Sequence, residues 1–145
     1  IQKLGEAYAT IIRQTYFVVF EQQAHDMLEK GATVEELTDA YYALLKEQFG
    51  DMDIPEEFRY EWAYIPHIYH TPFYCYAYNF GDLLSLALYG AYETDPEFMT
   101  KLETILKAGG SREPVSLLKE CGFDITQKAF WENSFKVINF CLGTG

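Results

Sequence analysis

Apolar residues recur at three- and four-residue spacing along nearly the whole chain, the pattern of helices rather than strands. Over residues 5–30, Tyr8, Ile11, Ile12, Thr15, Tyr16, Val19, Phe20, Ala24, Met27 and Leu28 keep that spacing, the period of a helix with one buried face. Gly31 sits where such a helix closes. Thr33-Val34-Glu35-Glu36 is a capping-box sequence, with Thr33 as N-cap and Glu36 three residues on. It predicts a second helix with Leu37, Ala40, Tyr41, Leu44 and Leu45 on one face, stopping near Gly50. Residues 47–61 hold six acids, one arginine and Pro55, and read as a solvated acidic loop leading into a short helix over 58–64.

Pro66 and Pro72 bracket His67-Ile68-Tyr69-His70-Thr71. A proline biases its predecessor away from helix, so the pentapeptide is expected to be an irregular loop. Residues 73–80 alternate as a strand would, but their continuation through Leu83, Leu84, Leu86 and Leu88 is helix-forming and carries no turn. One buried helix over 73–92 follows, with Gly81 and Gly90 admitting close neighbours. Asp95-Pro96 is expected to start another, as N-cap and first helical residue, ending at Gly109-Gly110. A short helix over 114–121, capped by Ser111 or a neighbour, closes at Gly122. Asp124 or Thr126 opens the last, through Phe130, Phe135, Ile138 and Leu142. The fold expected is all-α, a single helical domain over residues 1–145.

At 145 residues and 49% apolar, the chain suffices for one packed core. Its 11 basic residues against 22 acidic ones give a net charge of −11, which excludes a nucleic-acid backbone as partner and opposes docking on anionic lipid. No window approaches the roughly 20 apolar residues that span a bilayer. Cys75, Cys121 and Cys141 are odd in number and lack CxxC spacing, which favours a reducing compartment over a disulfide framework. The chain starts at Ile1 with no initiator Met and no signal peptide, so a fragment is expected.

Aromatic residues make up 17% of the chain, and ten of the 25 fall within residues 58–80. Six of those ten are tyrosines, whose hydroxyls need partners when buried. Phe and Leu would fill a core without that need. Two readings stay open: a tyrosine-rich helix interface, or the wall of a polar cleft whose phenols stabilise a developing oxyanion. The three histidines do not form a metal site by spacing. His25 and Glu29 offer only two ligands, too few for zinc. His67 and His70 are three apart with no glutamate after the first, unlike HExxH.

The run Ile65-Pro66-His67-Ile68-Tyr69-His70-Thr71-Pro72-Phe73-Tyr74-Cys75-Tyr76-Ala77-Tyr78-Asn79-Phe80-Gly81 resembles the C-terminal signature of oligoendopeptidase F, of the thimet-oligopeptidase-like zinc metallopeptidases. Arg13-Gln14, Phe20-Glu21, Tyr60-Glu61-Trp62, Gly109-Gly110-Ser111 and Ala129-Phe130-Trp131 extend the resemblance along the chain. It implies a helical peptidase lobe beside a deep channel, from a cytoplasmic enzyme that hydrolyses short peptides. Zinc, held in that family by HExxH and a further Glu, would activate water for attack on the peptide carbonyl. Neither motif occurs in this sequence, so the chain is expected to bind no zinc itself and to lack activity alone. Its partners would be short peptides, the missing N-terminal lobe, and a second copy through an apolar patch left bare.

By motif match, Tyr76 would be the principal phenol donor to the tetrahedral intermediate and His67 a second catalytic group. Tyr69, Tyr74 and His70 would contact substrate, Tyr74 also standing as a second donor candidate. Tyr78, two positions past Tyr76, is expected to point elsewhere. The thimet branch has a tyrosine where this chain has Phe73. The alternative function is a helical peptide-binding or scaffold module that cleaves nothing.

Overall fold

A computed structural model describes residues 2–142; the side chains of residues 2–4, Cys141 and Leu142 lie outside the described part. All regular elements among the described residues are helical. In chain order they are α1 (Gln2–Ala7), a π-helical segment (Tyr8–Arg13), α2 (Gln14–Glu29), α3 (Val34–Phe49), a 3₁₀ helix (Glu56–Tyr64), α4 (Pro66–His70), α5 (Tyr76–Tyr92), α6 (Phe98–Ala108), α7 (Pro114–Glu120) and α8 (Lys128–Leu142). The chain divides into two compact units, Ile1–Phe80 and Gly81–Gly145, and α5 runs from one into the other. None of the described helices is long and apolar enough to cross a membrane.

Several helix ends follow local chemistry. Gly31, at φ 82°, closes α2: its N–H donates to the Leu28 carbonyl and that of Ala32 to the Met27 carbonyl, both at 3.0 Å. This crossed pair of bonds is the Schellman arrangement, and Gly122 (φ 88°) repeats it after α7, through Lys119 and Leu118. The Thr33 hydroxyl accepts from the Glu36 N–H at 3.3 Å, while the Glu36 carboxylate accepts from the Thr33 N–H at 2.7 Å. That bond from the Thr33 backbone holds the Glu36 carboxyl below its usual value.

α7 is capped by Glu113, a neighbour of Ser111: its carboxylate accepts from the N–H groups of Val115 (2.9 Å) and Ser116 (2.7 Å). Other ends differ from expectation. Asp95 opens a turn rather than a helix, since its carboxylate takes the Glu97 N–H and the Lys101 ammonium, and α6 begins at Phe98. Asp124 likewise caps a turn through Thr126, and α8 begins at Lys128. The first helix passes through a π turn that ends at Arg13. Just beyond it, the Thr15 hydroxyl donates to the Ile11 carbonyl at 2.6 Å. The 3₁₀ helix starts at Glu56, inside the stretch expected to be loop. Its Arg59 pairs with Asp39, Glu56 and Glu35, which ties the acidic segment to α3.

In the first unit the core is Phe17, Phe20, Ala24, Leu37, Tyr41, Leu45 and Cys75, with Trp62, Ile65 and Ile68 packed against it. Phe20 meets the edge of Tyr41 at 5.0 Å between centroids and tilts onto Trp62 at 5.8 Å. The Tyr41 hydroxyl donates to Glu61 at 2.6 Å, and Arg13 pairs with the other oxygen of the same carboxylate. In the second unit Phe98, Leu117, Leu118, Cys121 and Phe123 form the core. There the buried Ser134 hydroxyl donates to the Leu83 carbonyl at 2.7 Å, joining α8 to α5. A methyl group added at Gly90 would come within 3.2 Å of Val137, so that glycine does admit a close neighbour; Gly81 has none within 4 Å.

Burial first, and the Glu61 carboxylate second, push the Tyr41 phenol well above its ordinary value of 10.0. A group that binds its proton more tightly when folded stabilises the fold fully below its unfolded value. That contribution is lost as pH rises through the window between the unfolded and folded values. Urea unfolding should therefore show a wild-type advantage over Tyr41→Phe of about 1 kcal/mol near neutral pH, shrinking once pH passes 10.0. An advantage that grows with pH would contradict the bond to Glu61.

Candidate active site

The signature segment folds as a short helix, a tight turn and the start of a long helix. α4 begins with Pro66 as its first residue, contrary to the expected loop. Proline is tolerated there because its missing N–H would have no helical partner. The residue that Pro66 restricts, Ile65, lies outside the helix at φ −86°, ψ 101°. Pro72 acts as anticipated on its own predecessor: Thr71 is non-helical (φ −142°, ψ 70°) and terminates α4. The next helix starts at Tyr76 rather than Phe73, because Phe73 is left-handed (φ 60°). From there the N–H groups of Tyr74, Ala77 and Tyr78 donate to the carbonyls three residues back, at 3.1, 2.9 and 3.3 Å, and wind the chain into α5.

This path brings His67 and Tyr74 together. Their rings stack with centroids 5.8 Å apart and planes 8° from parallel. Tyr78 stands edge-on to both, 5.5 Å from each, with its hydroxyl 2.8 Å from His67 Nε2. Tyr78 thus meets the histidine. It is the residue that holds the ring. The Tyr74–Tyr78 spacing of four was the available signal, but the partner ring lies on α4 and its arrival depends on the turn.

Tyr76 is the first residue of α5, is 56% exposed, and is not joined to the trio. Tyr69 and His70 lie exposed on α4. Burial of part of the Tyr69 ring raises its phenol pKa. The five residues singled out thus occupy one stretch of α4, turn and α5, but only His67 and Tyr74 touch.

Behind the turn stands Glu21, fully buried on α2, whose Oε1 accepts the Phe73 N–H at 2.6 Å. His25, one helical turn on, lays its ring over Phe73 at 4.8 Å and 34°. Asn79 donates to the Thr15 hydroxyl at 2.8 Å, which ties α5 to α2. Sequence reasoning gave no role to Glu21, because its partner is 52 residues away. Cys75 is also fully buried; burial, then the Glu21 carboxylate, raises its thiol pKa.

A cavity of about 230 Å³ in the same unit is lined by Leu45, Phe49, Ile54 and Phe58, with Arg13 and Glu61 at its polar side. None of the five singled-out residues lines it. Among the described residues no three His, Cys, Asp or Glu side chains converge as a metal-binding group. The arrangement offers phenol and imidazole donors, and no ligand set.

Comparison with known proteins assigns the pattern. Residues 1–137 match the profile described as Peptidase family M3. An oligoendopeptidase F homologue of Borreliella burgdorferi is 36% identical over 141 residues, which cover 94% of this chain and 24% of that protein. Oligopeptidase PepF of Bacillus subtilis is 39% identical over 122 residues, 81% of this chain and 18% of that one. The crystal structure of oligoendopeptidase-F from Enterococcus faecium superposes with a TM-score of 0.87 at 32% identity, over 98% of this chain and 28% of that one. The chain thus spans about a quarter or less of the length of the curated relatives it matches.

Proposed function

The chain belongs to peptidase family M3, and we propose that it is the helical part of a metalloendopeptidase that holds short peptides and stabilises the oxyanion formed during their hydrolysis. The observation that carries this reading is the His67–Tyr74–Tyr78 cluster, in the same stretch of chain as the exposed Tyr76 at the start of α5. A structural core has no need of polar rings packed on one another with their edges in solvent.

Tyr76 supplies the principal donor. A phenol remains protonated at neutral pH, so its O–H is available to a carbonyl oxygen as negative charge develops there. His67 is the second donor. The Tyr78 hydroxyl lies 2.8 Å from Nε2; in the tautomer with the proton on Nδ1 the ring accepts from that hydroxyl and offers its own N–H to substrate. Tyr74 stacks on the imidazole and fixes its plane, and Tyr69 and His70 contact the peptide from α4. M3 peptidases are zinc enzymes, and the residues of this chain do not fit that metal: HExxH is missing and no ligand cluster converges among the described residues. The rest of the enzyme is the partner this reading requires, and exposed apolar side chains such as Tyr64, Met52 and Phe58 support a further protein surface against the first unit.

The test is a chimaera. Joining this chain to the HExxH-bearing remainder of the Bacillus subtilis relative should yield an enzyme that cleaves short internally quenched peptides. The chain alone should cleave none. A folded, metal-loaded chimaera without turnover would sink the reading.

A further inference from the structure

A bulky aromatic residue adopts a left-handed backbone only where its surroundings impose it, and Phe73 at φ 60° is the sole such non-glycine among the described residues. Its N–H is held by Glu21. This side chain is 0% exposed, its Oε1 takes the Phe73 N–H at 2.6 Å, and its Oε2 is buried with no hydrogen-bond partner. Burying a carboxylate with a single hydrogen bond and no cationic partner is costly, and an apolar side chain of that size would fill the space without the cost. Stability alone does not explain a glutamate at this position.

Its placement does. Phe73 immediately precedes Tyr74, the ring stacked on His67, and lies three residues before Tyr76. Were Phe73 helical, α5 would start earlier and Tyr74 would leave along the helix surface, rotated away from α4. We propose that Glu21 is a positioning residue for the peptidase site: its carboxylate fixes the left-handed turn at Phe73, and through it the arrangement of His67, Tyr74, Tyr76 and Tyr78. His25, stacked on the Phe73 ring from the same helix, braces the turn from its side-chain end. This role rests on the proposed function of those four residues, but the clamp itself can be measured without turnover.

The experiment has two arms. In the chain itself, amide exchange by NMR should show the Phe73 N–H protected in wild type and in Glu21→Gln, whose side-chain carbonyl still accepts. It should be exposed in Glu21→Ala, with α3 amides unchanged. In the intact peptidase, Glu21→Ala should lower kcat by about 10²-fold, the scale of an ångström-size misplacement, with KM changed far less. Glu21→Gln should retain most of the turnover. Adding Phe73→Gly to Glu21→Ala should restore part of it, since glycine holds a positive φ at little cost. A mere packing role for Glu21 would not be rescued this way. Should Glu21→Ala fail to fold, Glu21→Met keeps the volume, removes the acceptor, and should behave as described for alanine. Equal loss in Glu21→Gln and Glu21→Ala with no rescue overturns the proposal, as does wild-type kcat in Glu21→Ala when Tyr76→Phe is impaired. Wild-type kcat in both variants, with Phe73 deprotected in Glu21→Ala, overturns instead the site reading on which the positioning role stands.

Discussion

Tyr76→Phe, made in the intact peptidase carrying this segment, is expected to lower kcat by about 10²–10³ while leaving KM nearly unchanged, the signature of a donor that acts on the transition state alone. Stability should hardly change, because the side chain is 56% exposed and phenylalanine keeps the ring. His67→Ala should also depress kcat, with a larger share of its effect in KM, since its N–H can bond the substrate carbonyl before charge develops. Tyr78→Phe removes the hydroxyl that lies 2.8 Å from His67 Nε2. It should cost about tenfold, acting through the histidine and leaving its tautomer unfixed. Tyr89, on α5 in the second unit and similarly exposed, is the control, and Tyr89→Phe should turn over as wild type. Full activity in Tyr76→Phe would remove the donor role and leave the tyrosine run as packing.

The largest loss of stability is expected from Phe20→Ala. Phe20 is 1% exposed and touches both Tyr41 and Trp62, so the cavity has rigid aromatic walls that cannot close over it. The expected cost is about 3–5 kcal/mol, a large part of the roughly 5–15 kcal/mol that holds a domain folded. Urea unfolding followed by Trp62 fluorescence should show the midpoint fall sharply. Tyr64→Ala, at the surface of the same unit, should change stability by less than about 0.5 kcal/mol. If the two variants unfold alike, the core assignment for the first unit is wrong.

The period of the apolar residues was enough to read the helices, since burying one face of a helix requires it wherever the helix lies. Helix ends were legible where their chemistry is confined to a few neighbouring residues. The Thr33–Glu36 box and the Gly31 and Gly122 closures need only groups within five positions of one another. The same locality misled where several local partners competed. Asp95 and Asp124 each satisfied a nearby N–H in a turn and left the helix to start later.

The candidate site divides along that line. Its residues were named from the sequence, because the order of His67, Tyr69, His70, Tyr74 and Tyr76 resembles a family pattern that is written in the chain. Which of them touch was not legible. Taken locally, Phe73 to Phe80 continues into a helix without interruption. The Glu21 carboxylate, brought alongside by the packing of α2, takes the N–H of the left-handed Phe73, and α5 starts only at Tyr76. That delay decides that Tyr74 stacks on His67 and that Tyr78, not Tyr76, meets its Nε2. Short-range bonds and periodic burial are encoded in neighbouring residues. A hydrogen bond spanning 52 positions exists only once the tertiary structure has formed, and it selects a backbone state that local preference alone would not.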